Sequence, residues 1–230
     1  MSDPFDARCR HLRLPIFSAA LALALATPAV AAAQASAATI SVPEPCVINA
    51  GSSGSQMLAA GAGFTPGDLI ELTTNHGSGF GSATADANGG FQVAMTGPVL
   101  SKAGPAVATF TLIATDQTDG VTTATAPFEA ANLAVATNPA RAKPNKKVRY
   151  TFSGFTSGAE IYAHYLHGRK VAATARFGRA SGPCGVLKAK AKLYPGRQRY
   201  TTYTVQFDDA RRYSAKSLPN YVTSLNVFKF

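Results

Sequence analysis

A short motif occurs twice in this chain, and its spacing constrains the fold more than any other feature. Residues 63–67 read Gly-Phe-Thr-Pro-Gly and residues 154–158 read Gly-Phe-Thr-Ser-Gly, and each motif precedes an alternating apolar run. The two motifs lie 91 residues apart, and one small β-sandwich takes about 100 residues. Self-similarity at this period predicts two sandwich modules in tandem.

The apolar residues alternate with a period of two, which favours strands over helices. Phe91, Val93 and Met95 share one face of a predicted strand in the first repeat, and residues 161–165 alternate in the same way in the second. Turn clusters rich in Gly, Asn and Asp, such as residues 86–90, separate these runs. The predicted fold class is therefore all-β, with two tandem immunoglobulin-like β-sandwiches behind an N-terminal signal peptide.

The first 37 residues have the layout of an export signal. Three arginines precede an apolar run at residues 14–26, and small residues follow. Because this run is shorter than the roughly 20 residues that a spanning helix needs, a cleaved signal is favoured over a membrane anchor. The predicted organisation is a signal peptide at 1–37, an acidic sandwich at 38–136 and a basic sandwich at 137–230. We expect the mature chain to be secreted without a transmembrane segment, or held non-covalently at the cell wall.

Charge is distributed unevenly between the two repeats. Residues 38–135 hold one basic and seven acidic residues, whereas residues 136–230 hold eighteen Lys and Arg against three acidic residues. The net charges are −6 and +15. Such asymmetry favours docking of the second module on a polyanion: an anionic cell-wall polymer, the lipid head groups of a membrane surface or extracellular DNA. No sequence-specific nucleic-acid binding is expected. The alternative is that the modules attract one another or that the charge maintains solubility.

Five basic residues of the second module are the candidate polyanion-binding site. Lys188, Lys190 and Lys192 alternate along one predicted strand and would project from one face, with Arg197 and Arg199 nearby. The alternative is that the lysines protect an edge strand from pairing with another sheet. The sequence implies no cofactor.

Two cysteines remain once the signal is removed, Cys46 and Cys184. In an oxidising compartment two cysteines can form one bridge, which here would tie the first module to the second. Two separate thiols are the alternative. Neither cysteine belongs to a Cys-x-x-Cys pair of the kind that binds zinc.

Candidate catalytic and metal-binding residues are few. His164 and His167 are three residues apart, which sends them to opposite faces of a strand and argues against a shared metal. Glu160 and His164 share a face, but acid–base chemistry also needs a positioned nucleophile. The sequence contains no nucleophile elbow, phosphate loop or dinucleotide fingerprint. We therefore expect no enzyme activity, no catalytic residue and no metal site.

Two stretches of the first module carry a family resemblance. Residues 61–67, Gly-Ala-Gly-Phe-Thr-Pro-Gly, and residues 82–89, Ser-Ala-Thr-Ala-Asp-Ala-Asn-Gly, resemble the immunoglobulin-like modules of secreted actinobacterial proteins, including the neocarzinostatin-like apoproteins. The resemblance implies a sandwich fold. It does not imply chromophore binding, because the two internal disulfides of the apoproteins are absent here.

These features together predict a non-enzymatic, secreted or envelope-associated structural or adhesive module. Its basic second domain would bind an anionic surface or polymer. An alternative from another class is a carrier of a small apolar ligand, held in a cleft of the first module.

Overall fold

The computed structural model describes residues 37–49, 55–77, 81–100, 103–143, 145–196 and 201–228. Within these ranges the regular structure is fifteen β-strands in four sheets, without a helix. The predicted all-β class is confirmed. The predicted signal peptide lies outside the described residues, apart from its last residue.

The strands β1 to β8 form the first sandwich, called module one below. One sheet has the strand order β1-β3-β6 and the facing sheet has the order β2-β8-β7-β4-β5. The strands are β1 (Thr39–Ser41), β2 (Cys46–Asn49), β3 (Gln56–Ala62), β4 (Leu69–Thr74), β5 (Gly81–Thr84), β6 (Phe91–Thr96), β7 (Val107–Asp116) and β8 (Thr123–Asn132).

The strands β9 to β15 form the second sandwich, called module two. Its sheets have the orders β13-β10-β9 and β12-β11-β14-β15. The strands are β9 (Ala134–Asn138), β10 (Lys147–Ser153), β11 (Glu160–His167), β12 (Lys170–Arg179), β13 (Leu187–Lys192), β14 (Thr202–Asp208) and β15 (Asn220–Asn226).

The two modules share one topology, and β2 is the exception. Matched in chain order, the β9-β10-β13 set corresponds to β1-β3-β6, and β11, β12, β14 and β15 correspond to β4, β5, β7 and β8. β2 runs parallel to β8, from Cys46 opposite Glu129 to Asn49 opposite Asn132, and covers the edge of that sheet. Among the described residues, β15 has no such neighbour.

The repeated Gly-Phe motif forms the turn into β4 and, in module two, the turn into β11. Phe64 and Phe155 are buried in the cores of their modules. A second turn lies against each motif: the Phe64 N–H donates to the Gly89 carbonyl at 3.0 Å. Gly89 and Gly185 have φ angles of +74° and +54°, and a Cβ at either would collide with the carbonyl oxygen of Phe64 or Phe155. Both modules therefore repeat the Gly-Phe motif together with a second turn, whose glycine packs against the backbone of that motif.

Each module has its own apolar core. In module two an aromatic cluster fills the space between the sheets, with ring centroids 4.6 to 6.3 Å apart among Tyr150, Phe152, Phe177 and Phe207. Rings at these separations contribute attraction beyond their buried area. Inward residues alternate with outward ones on β8 of module one and on β13 of module two, as the sequence pattern predicts. On β11 the alternation fails at His164, which is buried like Ala163 and Tyr165.

A single residue, Leu133, separates the last strand of module one from the first strand of module two. β8 ends at Asn132 and β9 begins at Ala134, so the boundary predicted between residues 136 and 137 falls inside β9. β9 pairs with β10 over its whole length. Pro139 directly follows β9 and lies in the loop between β9 and β10.

A disulfide joins Cys46 on β2 to Cys184 in the turn before β13, with the two Cα atoms 5.2 Å apart. Both cysteines are buried in a small cluster with Ala131, against which Ile48 and Val186 pack. The sequence left the pairing open, and the structure has the bridge between the modules.

Hydrogen bonds brace the same junction. The Leu133 N–H donates to the Asn49 carbonyl at 2.8 Å, and the Ser153 hydroxyl donates to the Asn132 carbonyl at 2.6 Å. Ion-pair contacts within the described ranges all lie inside module two. The junction is therefore held by a covalent bond, apolar contacts and backbone hydrogen bonds rather than by the opposite charges of the modules.

We expect a side chain at Gly89, in the turn that packs against Phe64, to destabilise the fold more than one at a glycine in open space. Gly120 has a φ of +65° with open space around it, so Gly120→Ala tests backbone strain alone and should cost about 1 kcal/mol of unfolding free energy. Gly89→Ala should cost at least about 1 kcal/mol more, because the Phe64 backbone must also shift. Urea unfolding of both variants measures the difference, and equal losses would contradict the packing described here.

Loss of the bridge should destabilise the mature chain. The bond closes a separation of 138 residues, so replacing both Cys46 and Cys184 by Ala is expected to lower the unfolding free energy by about 2 to 5 kcal/mol. A reducing agent should have the same effect on the parent chain and none on the double variant. Titration of two free thiols in the oxidised mature chain would show that the bridge does not form.

Candidate functional site

The candidate site is the outer surface of the sheet β13-β10-β9, called the basic face below. On β13, Lys188, Lys190 and Lys192 are exposed and alternate with Leu187, Ala189 and Ala191, which turn toward the core. Burial of the small apolar residues thus orients all three lysines outward. The other two predicted residues, Arg197 and Arg199, lie outside the described residues.

The central strand β10 adds two cations that the sequence reasoning missed. Lys147 lies directly opposite Lys192, and Arg149 lies directly opposite Lys190. Directly opposed residues of an antiparallel pair have Cβ atoms about 5 Å apart, and like charges at that separation repel. The basic face therefore holds five cations in two neighbouring rows, with two like-charged pairs.

The three carboxylates of module two are engaged elsewhere, away from these cations. Glu160 binds Arg176 through two hydrogen bonds of 2.5 and 2.8 Å, and the bond from Arg176 holds the pKa of Glu160 below its usual range. Asp208 is buried beside His164, and Asp209 accepts a hydrogen bond from the backbone of the motif turn. In the described part of module two, the five cations of the basic face form no ion pair.

Edge protection explains only part of this arrangement. β13 is an outermost strand, so its lysines do occupy an edge. Lys147 and Arg149 lie on β10, which pairs with β13 on one side and β9 on the other. A charge on a strand with two neighbours does not protect an edge, so the cations of β10 need another explanation.

His164 is an anchor for a loop rather than an accessible base. Its side chain is fully buried, with Nε2 2.9 Å from the Ala210 carbonyl oxygen and Nδ1 3.2 Å from the Thr174 hydroxyl. Asp208 lies 3.3 Å from Nε2 and accepts a hydrogen bond from Gln206, which also donates to the Ser214 carbonyl. These bonds attach the loop between β14 and β15 to the sheet.

The structure does not bring Glu160 and His164 together as an acid–base pair, since each has other partners. His167 is exposed at the end of β11, away from the buried His164. No cluster of three or more potential metal ligands occurs in the described ranges. No helix with the length and hydropathy needed to span a membrane occurs there either.

The alternative function, a carrier of a small apolar ligand, predicts an apolar cleft in module one. The structure has a cleft of about 230 Å³ in module two, between β9 of one sheet and β15 of the other, and both polar and apolar groups line it. A carrier site in module one stays a prediction.

Comparisons with known proteins do not assign the chain to a family. No family model matches the sequence, and no curated protein matches it. Among solved structures, the chain is similar to the tetra-tandem repeat in the extending region of a large adhesion protein, with 14% identity, 84% of this chain and 49% of that chain covered, and a TM-score of 0.26. The chain thus spans about half the length of that protein. A likeness at this TM-score supports no argument about fold or function, and the resemblance to the actinobacterial modules stays a prediction.

The charge repulsion on the basic face leads to a test of stability. Lys190→Glu would turn its repulsive pair with Arg149 into an attractive one, so we expect the unfolding free energy to rise by a few tenths up to about 1 kcal/mol at low salt. The gain should shrink as salt screens the pair. Lys188→Glu is the matched control, because Lys188 lies opposite the uncharged Thr151. An equal or larger gain for Lys188→Glu in urea unfolding would contradict the register.

Proposed function

We propose that this protein is a secreted, non-enzymatic module that docks on an anionic polymer through the basic face of module two. The observation that carries the proposal is the pair of like-charged contacts between β10 and β13. A fold that holds Lys147 against Lys192 and Arg149 against Lys190 loses stability unless an anion neutralises them. A bound polyanion would supply that neutralisation.

The geometry suits a polymer with repeated negative charges. Successive outward residues on one strand are about 7 Å apart, and neighbouring strands are about 5 Å apart. The cations therefore form a compact grid along which a flexible chain of phosphate or carboxylate groups can lie. Such binding is electrostatic and falls with salt as counterions compete.

A cell-wall polymer is favoured over a membrane surface. Between the cations the basic face presents Ala136, Asn138 and Thr151. Segments that lie in a membrane interface also insert large apolar side chains, and the described part of this face offers none. The basic face therefore has the charge for an anionic surface without the apolar groups that would anchor it in lipid.

Retention of the mature chain on immobilised poly(glycerol phosphate) across a salt series tests the proposal. We expect steep loss of retention with salt, and early elution of the K188A/K190A/K192A variant. The slope of log affinity against log salt should fall by about 2 to 3 for three lost contacts. Vesicles of anionic lipid form a second arm and should bind more weakly than the polymer.

The matched control is R169A/K170A/K216A, which removes three exposed cations that lie off the basic face. Its net charge equals that of the triple lysine variant, so a general charge effect would weaken both equally. Equal weakening, or no retention of the parent chain at low salt, would overturn the proposal.

A further inference from the structure

The outer edge of β15 is an open strand edge with a covered counterpart in the same molecule. β15 pairs with β14 from Asn220 to Asn226, and no described strand lies on its other side. In module one the equivalent strand β8 is covered by the parallel strand β2. An open edge presents unpaired backbone donors and acceptors to any extended segment that reaches it.

β15 lacks the charged residues that the edge strands β12 and β13 of module two carry, and in this it resembles the edge strand β9. β13 carries three lysines. The edge strand β12 carries Lys170, Arg176 and Arg179, and its pairing has two register shifts. β15 contains no charged residue and no proline, and its register with β14 is unbroken. An uncharged and regular edge of seven residues is suited to pairing with another strand.

Beside this edge the sandwich is open. The cleft of about 230 Å³ between β9 and β15 is lined by residues of the core, among them Val135, Val205, Phe207 and Leu225. In module one Val47 of β2 is buried in the core cluster of that module. The cleft is thus on the side of module two where a strand equivalent to β2 would insert an apolar side chain.

A buried hydroxyl group lines the same cleft. The side chain of Tyr165 is 1% exposed, and its hydroxyl has no hydrogen-bond partner of normal geometry among the described residues. Burial, together with the neighbouring Tyr150, raises the pKa of Tyr165. A buried hydroxyl without a partner costs free energy, which an incoming polar or backbone group can recover.

Exposed apolar side chains concentrate near β15 as well. Leu218, Val222 and Phe228 are 84%, 53% and 66% exposed. Val222 lies on β15 itself, Leu218 just before it and Phe228 just after it. They are spread along the strand and its two ends, where they add apolar surface that a partner could cover.

We propose that β15 and its adjoining cleft bind an extended strand of another protein, which runs parallel to β15, is apolar at alternate positions and is flanked by carboxylates. The parallel direction follows from β2 on β8. The carboxylates follow from charge: Arg141 lines a second cleft, which reaches the end of β15, and residues 136–230 have a net charge of +15. Residues 210–228 include no acidic residue. Pairing with β15 of a second copy would place two strongly basic modules side by side, which repulsion disfavours.

The probe is a capped peptide of sequence Glu-Val-Thr-Val-Asn-Val-Thr-Glu, added to the mature chain. We expect saturable binding and slower amide exchange along β15. Thr223 is exposed and lines the cleft, so Thr223→Lys directs a charge to the inner side of the edge and should weaken binding at least about tenfold. Ser224 also borders the cleft, but successive side chains of a strand point to opposite faces, so Ser224→Lys directs its charge away from the core. It is the matched control and should retain binding.

Two control peptides separate backbone pairing from simple charge attraction. A peptide with a central proline keeps its charge but loses a backbone donor, and it should not bind. A peptide with lysines in place of the flanking glutamates should bind more weakly. Equal binding of all three peptides, or no change in amide exchange along β15, would overturn the proposal.

Sedimentation of the mature chain tests whether the edge of β15 instead pairs with a second copy of the chain. If the chain self-associates and Thr223→Lys abolishes this, the edge binds a second copy and the proposal of a foreign strand is wrong. The basic face is a separate surface: K188A/K190A/K192A should bind the peptide normally, and Thr223→Lys should be retained on poly(glycerol phosphate) like the parent chain.

Discussion

Burial of one face of every sheet is the constraint on which the rest of this structure depends. Because successive side chains of a strand alternate, burying Leu187, Ala189 and Ala191 forces three lysines outward from β13. The same rule buries Val148 and Tyr150 and sends Lys147 and Arg149 outward from β10. The core of module two thereby creates the basic face, and the repulsion on that face is a consequence of efficient packing behind it.

The modules share a topology but differ at one sheet edge, and that difference organises the molecule. In module one β2 covers the edge of β8 and also carries Cys46, so the strand that completes the first sandwich is tied to the second through Cys184. In module two no described strand covers the corresponding edge of β15, which lies beside a cleft with polar and apolar lining. One duplicated architecture thus offers two separate surfaces, a charged sheet face and an uncharged strand edge.

The sequence predicted the features that depend on local pattern. The alternation of apolar residues placed Ile161, Ala163 and Tyr165 inward and the lysines of β13 outward, as the structure has them. The features that depend on long-range pairing were not predictable in this way. Arg149 lies opposite Lys190 only through the register of two strands about 40 residues apart. Residues 134–138, which span the predicted boundary, pair with β10 as one strand. His164, on an outward position, is buried by a loop more than 40 residues away in the sequence.

The sequence by itself determined the all-β class, the tandem repeat and the charge asymmetry of the two halves, because period-two alternation, repeated turn glycines and charge counts are local or additive properties. Only the pairing of distant strands fixes which cations share a face, that Cys46 meets Cys184, and that among the described strands none covers β15 as β2 covers β8. These outcomes depend on which distant strands pair and in which register, and many registers are compatible with the same alternating pattern.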